Sequence, residues 1–195
     1  MEREGGNAMN GRTLGTVLAP AVLLLGLAAW GQTVAAAQRA LDIAIKDVEP
    51  FPYVAISHTG PYSEIGLVIQ ELVGAMEAQG LLVRIKGPMV GVYYDAPGET
   101  RPEDLSWELG FIVEAQTTSR PPLMVKSWDH RTVAAALFVG PYDEAGAAIA
   151  KIMGWLTARG YEPDGPVLER YLDQEPSAVA PDKLRTEIWI PCSKR

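Results

Sequence analysis

The chain has 195 residues, of which 48% are hydrophobic, and its formal net charge is −7 at neutral pH. This length suits one domain, or two half-domains that share one core. A negatively charged chain lacks the basic face that general nucleic-acid binding needs, so we expect no nucleic-acid partner. Cys192 is the only cysteine in the sequence, which excludes an intrachain disulfide.

The N-terminal stretch has the sequence features of an export signal. Arg12 precedes an apolar run over residues 14–30, and a small-residue site of the A-x-A type follows at 35–37. This order is typical of a secretory signal peptide, so we expect residues 1–37 to be removed and the mature chain to be periplasmic or extracellular. The alternative is an uncleaved anchor in the inner membrane, because residues 14–37 are long enough to span a bilayer. Only that anchor would bring the chain into contact with a membrane.

Beyond this stretch the predicted elements follow one another in a fixed order, which then repeats. Short apolar stretches predict two strands, an amphipathic helix and two further strands. The predicted strands of the first half are 43–46, 53–57, 87–95 and 105–111, matched in the second half by 124–126, 133–137, 165–173 and 184–190.

The strongest sign of duplication is a motif at the start of each helix. Gly60-Pro61-Tyr62-Ser63-Glu64 recurs eighty positions later as Gly140-Pro141-Tyr142-Asp143-Glu144. Such self-similarity at a fixed offset indicates an internal repeat. We therefore expect one domain over residues 41–195, built from repeats at about 42–115 and 122–192. The predicted fold is α+β, with two pseudo-symmetric strand–helix–strand–strand repeats and an antiparallel sheet that carries one long helix per repeat.

Glycines divide into two groups in the predicted helices. Gly80 and Gly160 suit the C′ position that ends a helix. Glycines also stand inside both helices, where each costs about 1 kcal/mol against alanine. We expect a close backbone approach at these inner positions, which are Gly66, Gly74, Gly146 and Gly154.

Strand alternation sorts the side chains of the predicted sheet into two faces. On the last strand Ile188 belongs to the face that the helix covers, and Glu187 and Trp189 belong to the other. On the preceding strand Leu168 is assigned to the helix face and Glu169 to the other, while Gly91 and Gly110 leave room in the first half. A solvated face is the alternative. Apolar walls with a few polar groups indicate a ligand cleft on the face away from the helices, lined by Tyr93, Glu108, Glu169, Tyr171, Glu187 and Trp189.

Three motifs resemble one known family. The motif at 60–64, the stretch Tyr93-Tyr94-Asp95-Ala96-Pro97 and the stretch Thr186-Glu187-Ile188-Trp189-Ile190-Pro191 are similar to those of the GyrI-like small-molecule-binding domain. This is also the effector-binding domain of AraC-type and multidrug-responsive regulators, and the resemblance runs from about 41 to 192. It implies two pseudo-symmetric units around a cleft for lipophilic, often cationic molecules. It also implies that a glutamate of the last strand, here Glu187 beside Trp189, lies in that cleft.

These observations leave three hypotheses of function. The first is a module that binds a lipophilic, cationic small molecule outside the cytoplasm. The second is a hydrolase of strained electrophilic small molecules, as some members of the family are, with Glu187 as general acid or base. The third is an acidic module that binds a protein. We expect no cofactor and no metal, because no dinucleotide fingerprint, P-loop or metal-spaced histidine occurs. We do not expect transcriptional control, because the stretch before residue 41 is predicted to be an export signal and not a DNA-binding segment. Export also argues against gyrase inhibition, because gyrase is cytoplasmic.

Overall fold

The computed structural model describes residues 41–195. The predicted signal peptide or anchor, residues 1–37, lies outside the described residues. Within 41–195 no helix has the length and apolar character that a membrane span requires.

Two helices and nine strands make up the described part of the chain. The first half comprises β1 (Ile43–Asp47), β2 (Phe51–Thr59), α1 (Ile65–Ala78), β3 (Ile85–Tyr93) and β4 (Ser106–Val113). The second half comprises β5 (Met124–Trp128), β6 (Thr132–Val139), α2 (Ala145–Ala158), β7 (Tyr161–Pro163), β8 (Val167–Tyr171) and β9 (Arg185–Lys194). The predicted order of elements is confirmed, and β7 is a short strand that the sequence did not predict.

All strands pair antiparallel, in the order β1-β6-β9-β8-β3-β4-β2-β5, and β7 pairs with β9. The strands β1, β2, β3 and β4 of the first repeat correspond to β5, β6, β8 and β9 of the second. Exchanging each of these eight strands for its counterpart reverses the order of the sheet. The sheet is therefore pseudo-symmetric about its central β3–β8 pair. The first strand of each half pairs with the second strand of the other half, β1 with β6 and β5 with β2. The α+β fold and its internal duplication are confirmed.

Each helix begins after a 3-10 turn formed by the repeated motif, Tyr62–Glu64 before α1 and Tyr142–Glu144 before α2. The apolar stripe of α1 buries Val68, Leu72 and Met76 against the sheet. Full burial of such a side chain stabilises the fold by about 1.5–3 kcal/mol. The stripe of α2 buries Ala145, Ala148, Ile152 and Leu156.

The glycines of the helices only partly meet the expectation from the sequence. Gly80 and Gly160 adopt the left-handed conformation, with φ of +67° and +74°, which confirms their role at the helix ends. The expectation of a close approach inside the helices is wrong. A Cβ atom added at Gly66, Gly74, Gly146 or Gly154 meets nothing within 4 Å.

Both helices pack on the same face of the sheet, here called the helix side. Side chains directly opposite each other on paired strands lie on one face. Ile188, which packs with α2, is opposite Glu169, and Glu169 is opposite Gly91. Gly91 is in turn opposite Leu109, which packs with α1. The other face, here called the far side, is also a core cluster, formed by Tyr53, Ala55, Val90, Val92, Trp128, Val133, Ala135, Leu168 and Trp189.

Candidate functional site

The strand register divides the six predicted site residues between the two faces. Leu168 is opposite Trp189 and Arg170 is opposite Glu187, so these four residues lie on the far side. Glu169 alternates with them and lies on the helix side. The prediction that all six share one face is therefore wrong. The helix side holds Tyr93, Glu169 and Tyr171, and the far side holds Glu108, Glu187 and Trp189.

The error has a physical cause. The sequence argument assigned Leu168 to the helices because it is apolar. However, the far side is itself a buried core, and Leu168 packs there with Trp189. When both faces of a sheet are buried, apolar character no longer indicates which face a residue occupies.

The two glycines that were predicted to leave room do not leave open space. A Cβ atom at Gly91 would lie 2.7 Å from the Tyr93 hydroxyl oxygen, because the Tyr93 ring lies over Gly91. A Cβ atom at Gly110 would lie 2.9 Å from the Ala55 Cβ atom on the neighbouring strand. Gly91 thus makes room for an aromatic ring of the site and Gly110 for close strand packing.

On the helix side, four tyrosines form a symmetric group at the middle of the sheet. The hydroxyl oxygens of Tyr93 on β3 and Tyr171 on β8 are 2.6 Å apart and share a hydrogen bond. The ring of Tyr62 meets the ring of Tyr93 edge to face at 5.2 Å, and Tyr142 meets Tyr171 in the same way at 5.2 Å. We call these four residues, together with Glu169, the tyrosine cluster.

Burial differs between the inner and outer members of the tyrosine cluster. Tyr93 and Tyr171 are buried, whereas Tyr62 and Tyr142 are half-buried. The outer pair belongs to the 3-10 turns of the repeated motif. Sequence reasoning used that motif as a helix start, a sign of duplication and a family resemblance, but did not include either tyrosine among the site residues. Their recurrence at equal positions in the two repeats was the signal that could have identified them.

Glu169 breaks the symmetry of the tyrosine cluster, because its equivalent in the first repeat is Gly91. Its exposed fraction is only 7%. Within residues 41–195, no lysine, arginine or histidine forms a salt bridge with it. Burial raises the pKa of Glu169 to about 7, although a hydrogen bond with Tyr171 acts in the opposite direction. Glu169 is thus a carboxyl group that changes charge near neutral pH.

The tyrosines of the cluster remain neutral in that pH range. Burial, reinforced by the charge of Glu169, raises the pKa of both Tyr93 and Tyr171 far above the ordinary value. Burial and the charges of Asp95 and Glu169 raise the pKa of Tyr62 to about 12. The cluster therefore offers neutral hydroxyl groups and aromatic faces around a single ionisable carboxyl group.

On the far side, Glu108 is a buried carboxylate with many partners. It accepts hydrogen bonds from the Tyr53 hydroxyl at 3.1 Å, the Ser57 hydroxyl at 3.1 Å and the Tyr94 hydroxyl at 3.0 Å. It also forms a salt bridge with Lys126. These donors and the ammonium group compensate the charge of Glu108 within the protein itself.

Glu187, the equivalent of Glu108 in the second repeat, is also ion-paired. It forms salt bridges with Lys46, at 3.2 Å, and with Arg170. The Arg170 guanidinium lies 4.5 Å from the centre of the Trp189 ring. Burial raises the pKa of Glu187, but the Trp189 indole, Arg170 and Lys46 act in the opposite direction and the net pKa is below the ordinary value. Glu187 is therefore a permanent anion near neutral pH.

Sequence reasoning missed the cations of the far side. Lys46 on β1 and Lys126 on β5 occupy equivalent positions in the two repeats. Lys46 pairs with Glu187 and Lys126 pairs with Glu108. The eighty-residue offset between them was a signal that could have identified them. Of the three buried or half-buried glutamates in the predicted set, Glu169 alone lacks a cationic partner among the described residues.

Two open depressions on the surface lie away from these groups. One, of about 440 Å³, is lined by Ile85, Lys86, Gly87, Pro88, Leu172 and Gln174. The other, of about 490 Å³, lies beside β7 and includes His130 and Asp164. No group of three or more histidine, cysteine or acidic residues within 41–195 has the geometry of a metal site.

Comparison with known proteins identifies the family. The sequence pattern of the GyrI-like small molecule binding domain matches residues 41–193. Among curated proteins, none shows a significant match to the sequence.

Solved structures show the same fold at low sequence identity. The C-terminal domain of EcmrR superposes with a TM-score of 0.69 at 18% identity, covering 80% of this chain and 99% of that domain. This chain spans 58% of the longer EcmrR chain solved in complex with DNA. A hydrolase from Listeria innocua gives a TM-score of 0.61 at 13% identity, over 80% of this chain and 92% of that one. SAV2435 bound to tetraphenylphosphonium gives a TM-score of 0.53 at 12% identity, over 78% of this chain and 94% of that one.

Proposed function

Because the chain belongs to the GyrI-like small molecule binding domain family, we propose that it binds a lipophilic organic cation at the tyrosine cluster. Glu169 supplies the negative charge, and the tyrosine rings supply the apolar contact. The counter-charge is thus assigned to Glu169 and not to Glu187, the residue that the sequence motif favoured.

The observation that carries this proposal is the uncompensated burial of Glu169. A buried carboxylate without a cation is costly, and proteins ordinarily pair such charges. Glu108 and Glu187 already have lysine or arginine partners, whereas Glu169 has none within the described residues. A ligand that brings a positive charge would complete the pair.

The aromatic surroundings narrow the chemistry of the ligand. Tyrosine faces attract cations by about 0.5–2 kcal/mol each, the higher value applying where water is excluded. The tyrosine cluster combines four aromatic rings with a single carboxyl group, which suits a bulky, hydrophobic cation with one charge. SAV2435, which shares the fold, was solved with tetraphenylphosphonium, a molecule of this class.

In this proposal the ligand enters between Tyr62 and Tyr142. These two rings are half-buried and reach the surface, whereas Tyr93 and Tyr171 form the floor. The floor is closed by the hydroxyl contact of 2.6 Å between Tyr93 and Tyr171. The rings must therefore move apart to admit a ligand, as side chains commonly do at binding sites.

The test is calorimetric titration at pH 8 with tetraphenylphosphonium and with triphenylphosphine oxide, an uncharged aromatic phosphorus compound. We expect the cation to bind more tightly than the neutral compound. Glu169→Gln should weaken cation binding by about 2 kcal/mol, or about thirtyfold. Glu114→Gln is the matched control, because Glu114 is ion-paired with Arg84 and Lys86 away from the tyrosine cluster. Equal affinity of the parent and Glu169→Gln for the cation would exclude the proposal.

A second function is supported by the same carboxyl group. A general acid or base acts best when its pKa lies near the working pH, and burial raises the pKa of Glu169 to about 7. Hydrolysis of a strained, electrophilic small molecule at Glu169 is thus the alternative, and a hydrolase from Listeria innocua shares the fold. The ion pairs of Glu187 make that residue a poorer candidate than the sequence motif suggested.

Mass spectrometry of a cyclopropane-bearing electrophile after incubation distinguishes the two functions. A water adduct formed by the parent and lost in Glu169→Gln would establish the enzyme. Unchanged compound with measurable binding would leave the binding function alone. We further propose that either function is exercised outside the cytoplasm, on the basis of the apolar run and the A-x-A site.

A further inference from the structure

We infer that the tyrosine cluster exchanges a proton for its ligand: Glu169 is protonated in the free protein and loses that proton when an organic cation binds. This inference rests on the proposed function and specifies how the site is regulated. It makes cation binding dependent on pH within the physiological range, whereas binding of a neutral compound releases no proton.

Glu169 has too few hydrogen-bond donors around it for an ionised carboxylate. An ionised carboxylate has two oxygens and about four acceptor positions. Tyr93 and Tyr171 carry one hydroxyl proton each, and one of these two protons lies in the bond between them. At most one of the two hydroxyl protons is then left for Glu169. A single donor cannot replace the hydration of a carboxylate, so the neutral acid is favoured.

Glu108 is a glutamate of similar burial in the same sheet, but its partners differ from those of Glu169. The exposed fractions are 7% and 3%. Glu108 receives three hydroxyl donors and an ammonium group from Lys126. Burial alone therefore does not leave a carboxylate uncompensated in this fold. The difference lies in the partners, and those of Glu169 are the tyrosines alone.

Tyrosines are the titratable groups that face Glu169 from the neighbouring elements. Tyr93 faces it from β3, Tyr171 from β8, and Tyr62 from the turn before α1. These tyrosines remain neutral below pH 9, because burial raises their pKa values. A histidine, His58, also lies on the helix side, where it is opposite Trp107 on β4 and contacts Glu64 at 2.6 Å.

His58 can be tested separately, because the second repeat provides a natural replacement. The equivalent position is Phe138, on β6. His58→Phe therefore introduces a side chain that the fold already accepts at the related site. If Glu169 is the exchanging group, His58→Phe retains the pH dependence of binding and Glu169→Gln removes it.

The experiment is calorimetric titration of the purified protein with tetraphenylphosphonium, whose charge does not change with pH. Titrations at pH 6 and pH 8.5, each in two buffers of different ionisation enthalpy, measure the protons released. We expect close to one proton per bound cation at pH 6 and close to none at pH 8.5. Below pH 7, the affinity should fall about tenfold per pH unit. Titration with triphenylphosphine oxide should release no proton at either pH.

The outcomes separate this inference from the function on which it rests. The parent could bind the cation tightly without proton release or pH dependence, while Glu169→Gln fails to bind it. That result would overturn the proton exchange but support the cation site. Proton release that persists in Glu169→Gln and disappears in His58→Phe would assign the exchange to His58 and overturn the inference. Failure of the cation to bind between pH 5 and pH 9 would overturn both the inference and the proposed function.

Discussion

Gly91 and Glu169 lie directly opposite each other across the central β3–β8 pair, and they occupy the same position in the two repeats. The twofold symmetry of the surrounding tyrosines is thus broken by one carboxyl group. The space beside Gly91 is taken by the Tyr93 ring, so the first repeat has no room for a second carboxyl group. A symmetric fold thereby presents a site with a single charge.

The buried carboxyl group should lower the stability of the free protein. Burial raises the folded pKa of Glu169 from 4.5 to about 7. Between these values the folded state holds a proton that the unfolded state has lost, so the free energy of unfolding falls as the pH rises through this window. The loss is complete above pH 7 and amounts to at most about 3 kcal/mol, from 1.36 kcal/mol per pKa unit.

Glu169→Gln, which is neutral at every pH, should therefore be more stable than the parent at pH 8 and nearly equal to it at pH 4. Urea unfolding of both proteins at the two pH values measures the difference. Glu114→Gln serves as the control, since Glu114 is partly exposed and ion-paired with Arg84 and Lys86. An equal stability difference at both pH values would show that Glu169 does not titrate as described.

The inner glycines of the helices should be replaceable with a gain in stability. Gly74 and Gly154 lie in helix interiors, and an added Cβ atom meets nothing there within 4 Å. Each substitution by alanine should raise the free energy of unfolding by about 1 kcal/mol. Gly80→Ala should instead lower it, because Gly80 has φ of +67°, a conformation that alanine adopts only with strain. Thermal unfolding measures all three, and a loss of stability in Gly74→Ala would contradict the open geometry around that position.

The two lysines of the far side should contribute differently to the free energy of unfolding, although they occupy equivalent positions in the two repeats. Lys126→Met removes the ammonium partner of Glu108, whose side chain is only 4% exposed. We expect a loss of about 1–3 kcal/mol, because Glu108 keeps its hydroxyl donors but loses its counter-charge. Lys46 is 50% exposed and Glu187 retains Arg170, so Lys46→Met should cost under about 1 kcal/mol. Denaturant unfolding of both variants compares them, and equal losses would refute the assigned difference.

The export prediction can be tested on material from the producing cell. The A-x-A site predicts a mature protein that begins near Gln38. N-terminal sequencing of the periplasmic or secreted fraction measures this directly. A full-length species held in the membrane would favour the uncleaved anchor over residues 14–37.

The fold was predictable from the sequence because the duplication doubled every signal. The alanine-rich stretch of β6 would pass for a helix on propensity alone, and its position in the repeat identified it as a strand. The short strand β7 has no equivalent in the first repeat, so no repeat signal indicated it. Helix ends at Gly80 and Gly160 were predictable because the left-handed conformation there favours glycine.

The site was less predictable, because strand alternation gives two faces without saying which one the helices cover. Hydrophobicity resolves that choice only when one face is solvated, and here both are buried. The choice of Leu168 as a helix-facing residue therefore moved Glu169 and Tyr171 to the wrong face. The lysine ion pairs of Glu108 and Glu187 depend on pairing between the repeats, through β5 with β2 and β1 with β6, which the local pattern of the strands does not reveal.

The measurement that tests the central claim most directly compares two carboxyl groups on opposite faces of the sheet. Tetraphenylphosphonium affinity is measured at pH 8 for the parent, Glu169→Gln and Glu187→Gln. A site on the helix side predicts that Glu169→Gln weakens binding about thirtyfold. It also predicts that Glu187→Gln, whose carboxylate already pairs with Lys46 and Arg170, binds like the parent. Loss of affinity in Glu187→Gln with parent-like binding in Glu169→Gln would place the ligand on the far side and contradict the account.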